Sequence, residues 1–127
     1  RFLAAEDNFL NAGILTELLE LEGATVEIVE NGQLAVERFE QASPGEFDAI
    51  LMDVQMPVMN GHAAARAIRA LDRADARTIP IIAMTADAFV EDEKAALAAG
   101  MNAHVAKPLE IDDLKRAVDR HVEKGRA

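Results

Sequence analysis

The stretch FDAILMDVQMPVMNG, residues 47–61, decides the fold. Its first part is mostly apolar and too short for an ordinary helix, so it predicts a buried strand over residues 47–52. Asp53 follows this strand directly, and residues 57–61 contain the Pro and Asn-Gly signals of a loop. An apolar strand that leads into a carboxylate and a loop is typical of the middle of a parallel sheet, with Asp53 at the carboxyl end.

Short apolar runs alternate with amphipathic stretches on both sides of this segment. Strands are predicted over residues 2–5, 25–29, 47–52, 79–85 and 103–106. Helices are predicted from Leu10, Ile14, Leu18 and Leu21; over residues 32–40; from Ala64, Ile68 and Leu71; over residues 91–99; and from Ile111, Leu114, Val118 and Val122. In the first helix we expect Leu10, Ile14 and Leu18 to lie in the core, and Asn11 and Leu15 to be exposed.

The alternation of strands and helices predicts an α/β fold. Five β-α units form a doubly wound, flavodoxin-like five-stranded parallel sheet, because parallel crossovers are right-handed and each needs a helix. Strands one, three and four are continuously apolar, as central strands are, whereas strand two alternates and strand five is short and contains His104. The predicted order is therefore 2-1-3-4-5, and its ligands bind at the carboxyl ends of strands one and three.

Composition limits the possible functions. A chain of 127 residues with 50% apolar and 28% charged residues is the size and mix of one globular domain. The net charge of -10 disfavours nucleic acid and anionic membranes as ligands, and the lack of cysteine excludes disulfides and thiolate chemistry. No apolar run is long enough to cross a bilayer. We expect residues 1–127 to be one domain and a fragment of a longer protein, because the first strand begins at Phe2 without a lead-in.

Polar side chains follow four of the predicted strands. They are Glu6 and Asp7 after strand one, Asp53 after strand three, Thr85 at the end of strand four and Lys107 after strand five. Three converging carboxylates repel one another unless a cation intervenes, and Mg²⁺ suits a site with few side-chain ligands and open positions for phosphate oxygens. A carboxylate nucleophile, a hydroxyl and a lysine are the groups that phosphoryl transfer needs. We therefore expect Asp53 to become an aspartyl phosphate.

Other interpretations of the same residues remain at this point. Glu6 and Asp7 are also residues that favour a helix start, with Asp7 or Asn8 as N-cap. A flavodoxin-like cofactor binder shares the sheet, but a pair of carboxylates in its first loop would repel a phosphate. A phosphatase of the haloacid dehalogenase type also forms an aspartyl phosphate, but it requires a second Asp at the position of Gln55.

Four segments together resemble the receiver domain of two-component response regulators. They are residues 5–8 (AEDN), 50–61 (ILMDVQMPVMNG), 79–86 (IPIIAMTA) and 106–108 (AKP). They occur in order at the ends of strands one, three, four and five, and the resemblance covers nearly the whole chain. The sequence is most similar to receivers attached to hybrid sensor histidine kinases.

The resemblance implies a role for each site residue. Asp53 is implied to accept a phosphoryl group from a phosphohistidine on a histidine kinase or a histidine phosphotransfer domain. The implied Mg²⁺ ligands are Glu6, Asp7, Asp53 and the backbone carbonyl of Gln55, and the implied ligands of the phosphoryl oxygens are Thr85 and Lys107. Exposed residues of the first helix are implied to meet a phosphotransfer helix bundle.

The resemblance also implies a switch. In the family the Thr hydroxyl moves toward the phosphate and an aromatic residue of strand five turns inward, and His104 replaces that aromatic residue here. Gln55 and Asp87 occupy positions that tune the lifetime of the phosphate. A switch rather than a metabolic enzyme is expected, in the cytoplasm or tethered there to a membrane sensor kinase. The alternative is a degenerate receiver that serves as a non-phosphorylated interaction module.

Overall fold

The computed structural model describes residues 1–43, 45–53, 60–85, 94, 97–106 and 112–117. The strands are β1 (Phe2–Ala5), β2 (Val26–Val29), β3 (Ala49–Asp53), β4 (Ile81–Thr85) and β5 (Ala103–Ala106). The labelled helices are α1 (Phe9–Leu21), α2 (Gly32–Gln41) and α3 (Gly61–Arg69), with a 3-10 helix at Ala74–Arg77. Residues 94, 97–98 and 112–117 are also helical. Within these ranges no helix combines the length and apolar character needed to cross a bilayer.

The five strands form one parallel sheet in the order β2-β1-β3-β4-β5, which confirms the predicted fold class and strand order. Ala5 of β1 pairs with Met52 of β3, and the next residue of β3, Asp53, pairs with Met84 of β4. Thr85 pairs with Ala106 at the same end of the sheet. The carboxyl ends of β1, β3, β4 and β5 therefore meet along one edge.

Alternate residues of each central strand face opposite sides of the sheet. Leu3 and Ala5 of β1 belong to a core shared with α2 and α3. Phe2 and Ala4 belong to a second core shared with α1 and the helical residues 112–117. Both faces are covered, so β1, β3 and β4 are apolar along almost their whole length.

Asparagine begins each of the three labelled α-helices. The side-chain oxygens of Asn8, Asn31 and Asn60 accept hydrogen bonds from backbone N–H groups three residues later, at 2.9–3.0 Å. Such N-caps satisfy donors that the helix cannot, and each is typically worth about 1 kcal/mol. Asn8 rather than Asp7 caps α1, so the carboxylate of Asp7 is not used for capping.

Several element boundaries differ from the predictions by one or two residues. β3 begins at Ala49 and includes Asp53, because Asp53 extends the pairing with β4. β4 begins at Ile81, after Pro80, which has no N–H to contribute to a ladder. The 3-10 helix was not predicted, and Leu71 lies beyond the end of α3. Ile111, Val118, Val122 and most of residues 91–99 lie outside the described residues.

The predicted orientation of α1 is wrong. Leu15 and Leu19 are buried, whereas Leu10 is 71% exposed and Ile14 45% exposed. Leu15 was expected at the surface, and Leu10 and Ile14 in the core. Phe, Leu and Ile fill seven of the 13 positions of α1, so apolar residues occur on every side and no single stripe marks the buried one.

Candidate functional site

The acidic residues lie where β1 and β3 end side by side. The ladder between β1 and β2 continues for one bond beyond β1, because the N–H of Glu6 donates to the carbonyl of Val29 at 3.0 Å. Since Ala5 pairs with Met52, Glu6 and Asp53 are the next residues on two neighbouring strands. Asp7 follows at the entrance to α1. The three residues predicted from the strand ends are therefore brought together.

The three carboxylates form one compact group. One carboxylate oxygen from each of Glu6, Asp7 and Asp53 lies within 4.8 Å of the others. Glu6 is 3% exposed and Asp53 is 4% exposed, and in the described part of the chain they are the only buried charged residues. Asp7 is exposed and forms the outer side of the group. We call these three residues the acidic cluster.

The donor set of the acidic cluster fits a divalent metal ion. Two full charges 4.8 Å apart repel by about 3.5 kcal/mol at an effective dielectric constant of about 20. A hard cation among the three oxygens replaces this repulsion by attraction, and oxygen ligands are those that Mg²⁺ and Ca²⁺ prefer. Asp7 leaves one side of the group open to solvent, so further ligands can reach an ion there.

The other predicted site residues are described only in part. The backbone of Thr85 ends β4 next to Ala106, and His104 pairs with Ala83 within the sheet. These pairings place the chain at Thr85 on the same edge as the acidic cluster. Gln55, Asp87, Lys107 and Pro108 lie outside the described residues.

An apolar surface on α1 adjoins the acidic cluster. It consists of Phe9, which is 94% exposed, together with Leu10, Ile14 and Leu21. We call these four residues the α1 apolar surface. Phe9 is only two residues from Asp7, so an apolar side chain and the open side of the acidic cluster lie together. The prediction missed this surface, although seven large apolar residues in one helix exceed what one buried face can hold.

Ion pairs lie at the opposite end of the sheet, where the strands begin. The guanidinium of Arg38 donates to Glu27 of β2 and to Glu46 before β3, and it stacks on the ring of Phe47 at 5.0 Å. The backbone N–H of Ser43 and then Arg38 hold the pKa of Glu46 below its usual value. These contacts fasten the loop before β3 to the edge strand β2.

A second arginine fastens the end of α2. Arg73 donates to the backbone carbonyls of Phe39 and Glu40 and stacks on the Phe39 ring at 4.5 Å. Its guanidinium also bonds both carboxylate oxygens of Asp75, and this bond lowers the pKa of Asp75. The two ends of the sheet thus differ: buried carboxylates converge at one end and paired arginines at the other.

Comparison with known proteins identifies relatives for most of the chain. The family model described as the response regulator receiver domain matches residues 2–119. The chain is 42% identical, over 85% of its length, to the hybrid signal transduction histidine kinase M of Dictyostelium discoideum. It is 39% identical, over 93% of its length, to the sensor protein GacS of Pseudomonas syringae pv. syringae. The chain spans only 4% and 13% of the length of these curated relatives.

Solved structures have the same fold. The receiver domain of a sensor histidine kinase from Pseudomonas aeruginosa, with a magnesium ion coordinated in its active site cleft, has a TM-score of 0.85 and 38% identity, and 96% of each chain is covered. A co-crystal structure from Saccharomyces cerevisiae joins a histidine phosphotransfer protein to the receiver domain of its downstream response regulator. It matches with a TM-score of 0.81 and 29% identity, covering 94% of this chain and 86% of that one.

Proposed function

This chain belongs to the response regulator receiver family, and from that membership we propose that it relays a signal by accepting a phosphoryl group on Asp53. The convergence of Glu6, Asp7 and Asp53 within 4.8 Å carries the proposal. A buried carboxylate next to two others can be phosphorylated only if its charge and that of the incoming phosphate are offset. The three converging carboxylates support such a counter-ion.

We propose Mg²⁺ as that ion. The ligands would be carboxylate oxygens of Glu6, Asp7 and Asp53, with the backbone carbonyl of Gln55 as the assignment from family resemblance. Support comes from the donor set itself and from the magnesium ion in the related sensor kinase receiver. When bound, the ion supplies positive charge to the phosphoryl oxygens and to the carboxylates around them.

The transfer itself is a displacement at phosphorus. One carboxylate oxygen of Asp53 attacks the phosphorus of a phosphohistidine, so that a P–O bond forms as the P–N bond breaks. The electron pair of the broken bond stays on the imidazole nitrogen. The Thr85 hydroxyl and the Lys107 ammonium are proposed to bind the phosphoryl oxygens, and hydrolysis of the acyl phosphate later restores Asp53.

The phosphorylated state is proposed to change a binding surface through β4 and β5. Thr85 and His104 are the proposed switch residues. Thr85 ends β4 at the site edge, and His104 lies on β5, which pairs with β4 through Thr85. Because β5 is an edge strand, a change at Thr85 can reach the surface through a single neighbouring strand.

The donor is proposed to be the phosphohistidine of a histidine kinase or a histidine phosphotransfer domain. The related yeast receiver forms a complex with a protein of the latter class. The donor has to cover the open side of the acidic cluster to reach Asp53, and there it meets Phe9 and Leu10 of the α1 apolar surface. A helix bundle with an apolar face around its histidine matches that surface. The net charge of -10 argues against nucleic acid as the direct partner.

We propose that residues 1–127 work as one receiver unit within a longer signalling protein, as in the curated relatives. In this view the chain is a self-modifying switch and not a metabolic enzyme. The alternative of a degenerate receiver would require partner binding that needs neither Mg²⁺ nor Asp53. The presence of all three residues of the acidic cluster favours a receiver that is phosphorylated over a degenerate receiver.

Intact-mass spectrometry after incubation with acetyl phosphate tests the proposal. We expect the wild type to gain one phosphoryl group with Mg²⁺ and none with a chelator. Asp53→Asn is expected to gain none, because its amide cannot act as the nucleophile. Asp72→Asn, which removes an exposed carboxylate outside the acidic cluster, is the matched control and is expected to behave as the wild type.

The same samples decide between the two candidate functions. Phosphorylation of the wild type and not of Asp53→Asn establishes Asp53 as the acceptor. A folded wild type that stays unmodified with both acetyl phosphate and a phosphorylated histidine phosphotransfer domain contradicts the proposal and favours the degenerate receiver.

A further inference from the structure

A guanidinium joins three segments at the end of the sheet opposite the acidic cluster. Arg69, the last residue of α3, donates from Nε to the carbonyl of Gly100 at 2.9 Å. It donates from Nη1 to the carbonyl of Ala76 at 3.0 Å and from Nη2 to Oδ1 of Asn102 at 2.9 Å. The arginine thereby connects α3, the 3-10 helix and the turn that enters β5.

Asn102 extends the pairing of β4 with β5 by one step. Its backbone N–H donates to the carbonyl of Ile81 at 2.7 Å, and its Oδ1 accepts from the N–H of Ile81 at 2.8 Å. Asn102 therefore bonds both backbone polar groups of Ile81, and its side chain supplies the acceptor one residue before β5 begins. The same Oδ1 accepts from Arg69, so the two contacts support each other.

The Arg69 guanidinium is partly buried, which costs free energy, and it makes a defined set of hydrogen bonds. Within the described residues its partners are three neutral oxygens and no carboxylate, and burial lowers its pKa. Gly100 makes the close approach possible, because a Cβ on Gly100 would lie 2.8 Å from Cγ of Arg69. Burying a charge without a carboxylate partner costs free energy. We therefore interpret the contact between Arg69 and Gly100 as one that fixes the relative positions of the segments it joins.

β5 depends on such a contact more than the other strands that end at the site. It is a four-residue edge strand with β4 as its only neighbour, whereas β1, β3 and β4 are held on both sides. The register of β5 pairs Thr85 with Ala106 and so fixes which residue leaves the sheet beside Thr85. A shift of one residue would move every side chain of the strand to the other face.

We propose that Arg69 and Asn102 form a register clamp, which holds β5 in the register that pairs Thr85 with Ala106 and so sets where the chain leaves the sheet before Lys107, the proposed ligand of the phosphoryl oxygens. This inference rests on the proposed function of Asp53 and Lys107. The clamp acts from the amino end of β5, the full length of the strand away from the site, so Arg69 and Asn102 are positioning residues. The Mg²⁺ ligands on β1 and β3 do not depend on it.

That independence gives the test. We expect Asn102→Ala and Arg69→Met to weaken the binding of beryllofluoride, a phosphoryl analogue, and to slow phosphorylation by acetyl phosphate by about tenfold to a hundredfold. The affinity for Mg²⁺ alone, measured by titration calorimetry, is expected to stay within about twofold of the wild type. A loss of fold in general would instead reduce both affinities together.

Three further variants complete the experiment. Asn102→Asp keeps the acceptor Oδ1 and is expected to retain beryllofluoride binding. Arg38→Met removes the α2 arginine that bonds Glu27 of the other edge strand, β2, and is expected to lower stability without changing beryllofluoride affinity. If Asn102→Ala does not fold, Arg69→Lys takes its place, with amide exchange at Ile81 and Ala106 as the measure of the β4–β5 pairing.

The possible failures are distinguishable. A wild type that binds neither beryllofluoride nor a phosphoryl group contradicts the proposed function itself. A wild type that binds both, with clamp variants that bind both equally well, overturns the register clamp and leaves the proposed function standing. Loss of Mg²⁺ affinity in clamp variants that remain folded also overturns it, because the effect would then not be confined to β5.

Discussion

Gly100 meets two separate steric demands. Its φ of +98° lies in the left-handed region that side-chain-bearing residues avoid. A Cβ there would also lie 2.8 Å from Cγ of Arg69, whose guanidinium is held by three hydrogen bonds and cannot withdraw freely. Gly23, with φ of +79°, has the first demand without the second, since nothing lies within 4 Å of its Cβ position.

Substitutions at Gly23 and Gly100 separate the cost of backbone strain from the cost of a steric clash with Arg69. Gly23→Ala is expected to lower the free energy of unfolding by about 1–2 kcal/mol, the usual cost of a left-handed residue with a side chain. Gly100→Ala is expected to lose about 1–3 kcal/mol more, because the new methyl group displaces Arg69. Urea denaturation of both variants measures the difference, and equal losses would show that Arg69 yields without cost.

The sequence predicted that the residues of the acidic cluster converge, and it made no prediction for the contacts of the arginines. Glu6, Asp7 and Asp53 could be predicted because parallel strands bring their carboxyl ends together and each residue follows a recognisable strand. Arg69 and Gly100 are 31 residues apart, and Arg73 and Phe39 are 34 apart. No local pattern contains contacts of that kind, which arise only when the helices pack.

Helix α1 shows how an element can be predicted correctly and oriented wrongly. Its existence followed from apolar spacing, and its N-cap was expected at Asp7 or Asn8, of which Asn8 is the cap. Its orientation is set by tertiary packing, which chooses Leu15 and Leu19 for the core and leaves the α1 apolar surface in water. The excess of apolar residues that obscured the orientation leaves a second apolar face on α1, which is the kind of surface at which proteins bind partners.

Two leucines test this orientation. Leu15→Ala is expected to destabilise the fold by about 2–5 kcal/mol, because it leaves a cavity in a fully packed core. Leu10→Ala is expected to change stability by no more than about 0.5 kcal/mol, since its side chain is largely in water. Thermal denaturation compares the two directly.

The same leucine tests the docking role of the α1 apolar surface. Leu10→Ala is expected to slow transfer from a phosphorylated histidine phosphotransfer domain and to leave the rate with acetyl phosphate unchanged, because a small donor does not touch α1. Equal transfer rates from the protein donor for Leu10→Ala and the wild type would contradict the docking role.

On the scale of the whole molecule, the candidate site and the arginine contacts that stabilise the fold lie at opposite ends of the strands. The acidic cluster lies at the carboxyl ends, and Arg38, Arg69 and Arg73 lie toward the amino ends. The sequence predicted the convergence of Glu6, Asp7 and Asp53 at the first end, because the order 2-1-3-4-5 and the strand ends define it. It did not predict the second, because the arginines there bond mainly to loops and helix ends.

The ion pairs at the amino end predict how stability depends on pH. The pKa values of Glu46 and Asp75 are lowered from ordinary values of 4.5 and 3.8. A group with a lowered pKa stabilises the fold above its ordinary value, and this contribution is lost as the pH falls through the lower folded value. We expect Glu46→Gln and Asp75→Asn to reduce stability at neutral pH and to flatten its decline in acid.

Chemical denaturation at neutral and acidic pH measures this effect. Asp72→Asn is the control, since Asp72 is exposed and forms no ion pair with the described residues. A decline in acid that is as steep in both variants as in the wild type would mean that other carboxylates govern acid unfolding.

The α1 apolar surface also has a colloidal consequence. The exposed α1 apolar surfaces of two molecules attract each other in water, and the net charge of -10 on each free domain opposes this association. That repulsion reaches about 8 Å at physiological ionic strength and only about 3 Å in 1 M salt. Concentrated sulfate therefore removes the barrier while strengthening the attraction, and we expect it to lower the solubility of the free domain more than that of a domain whose α1 apolar surface is covered.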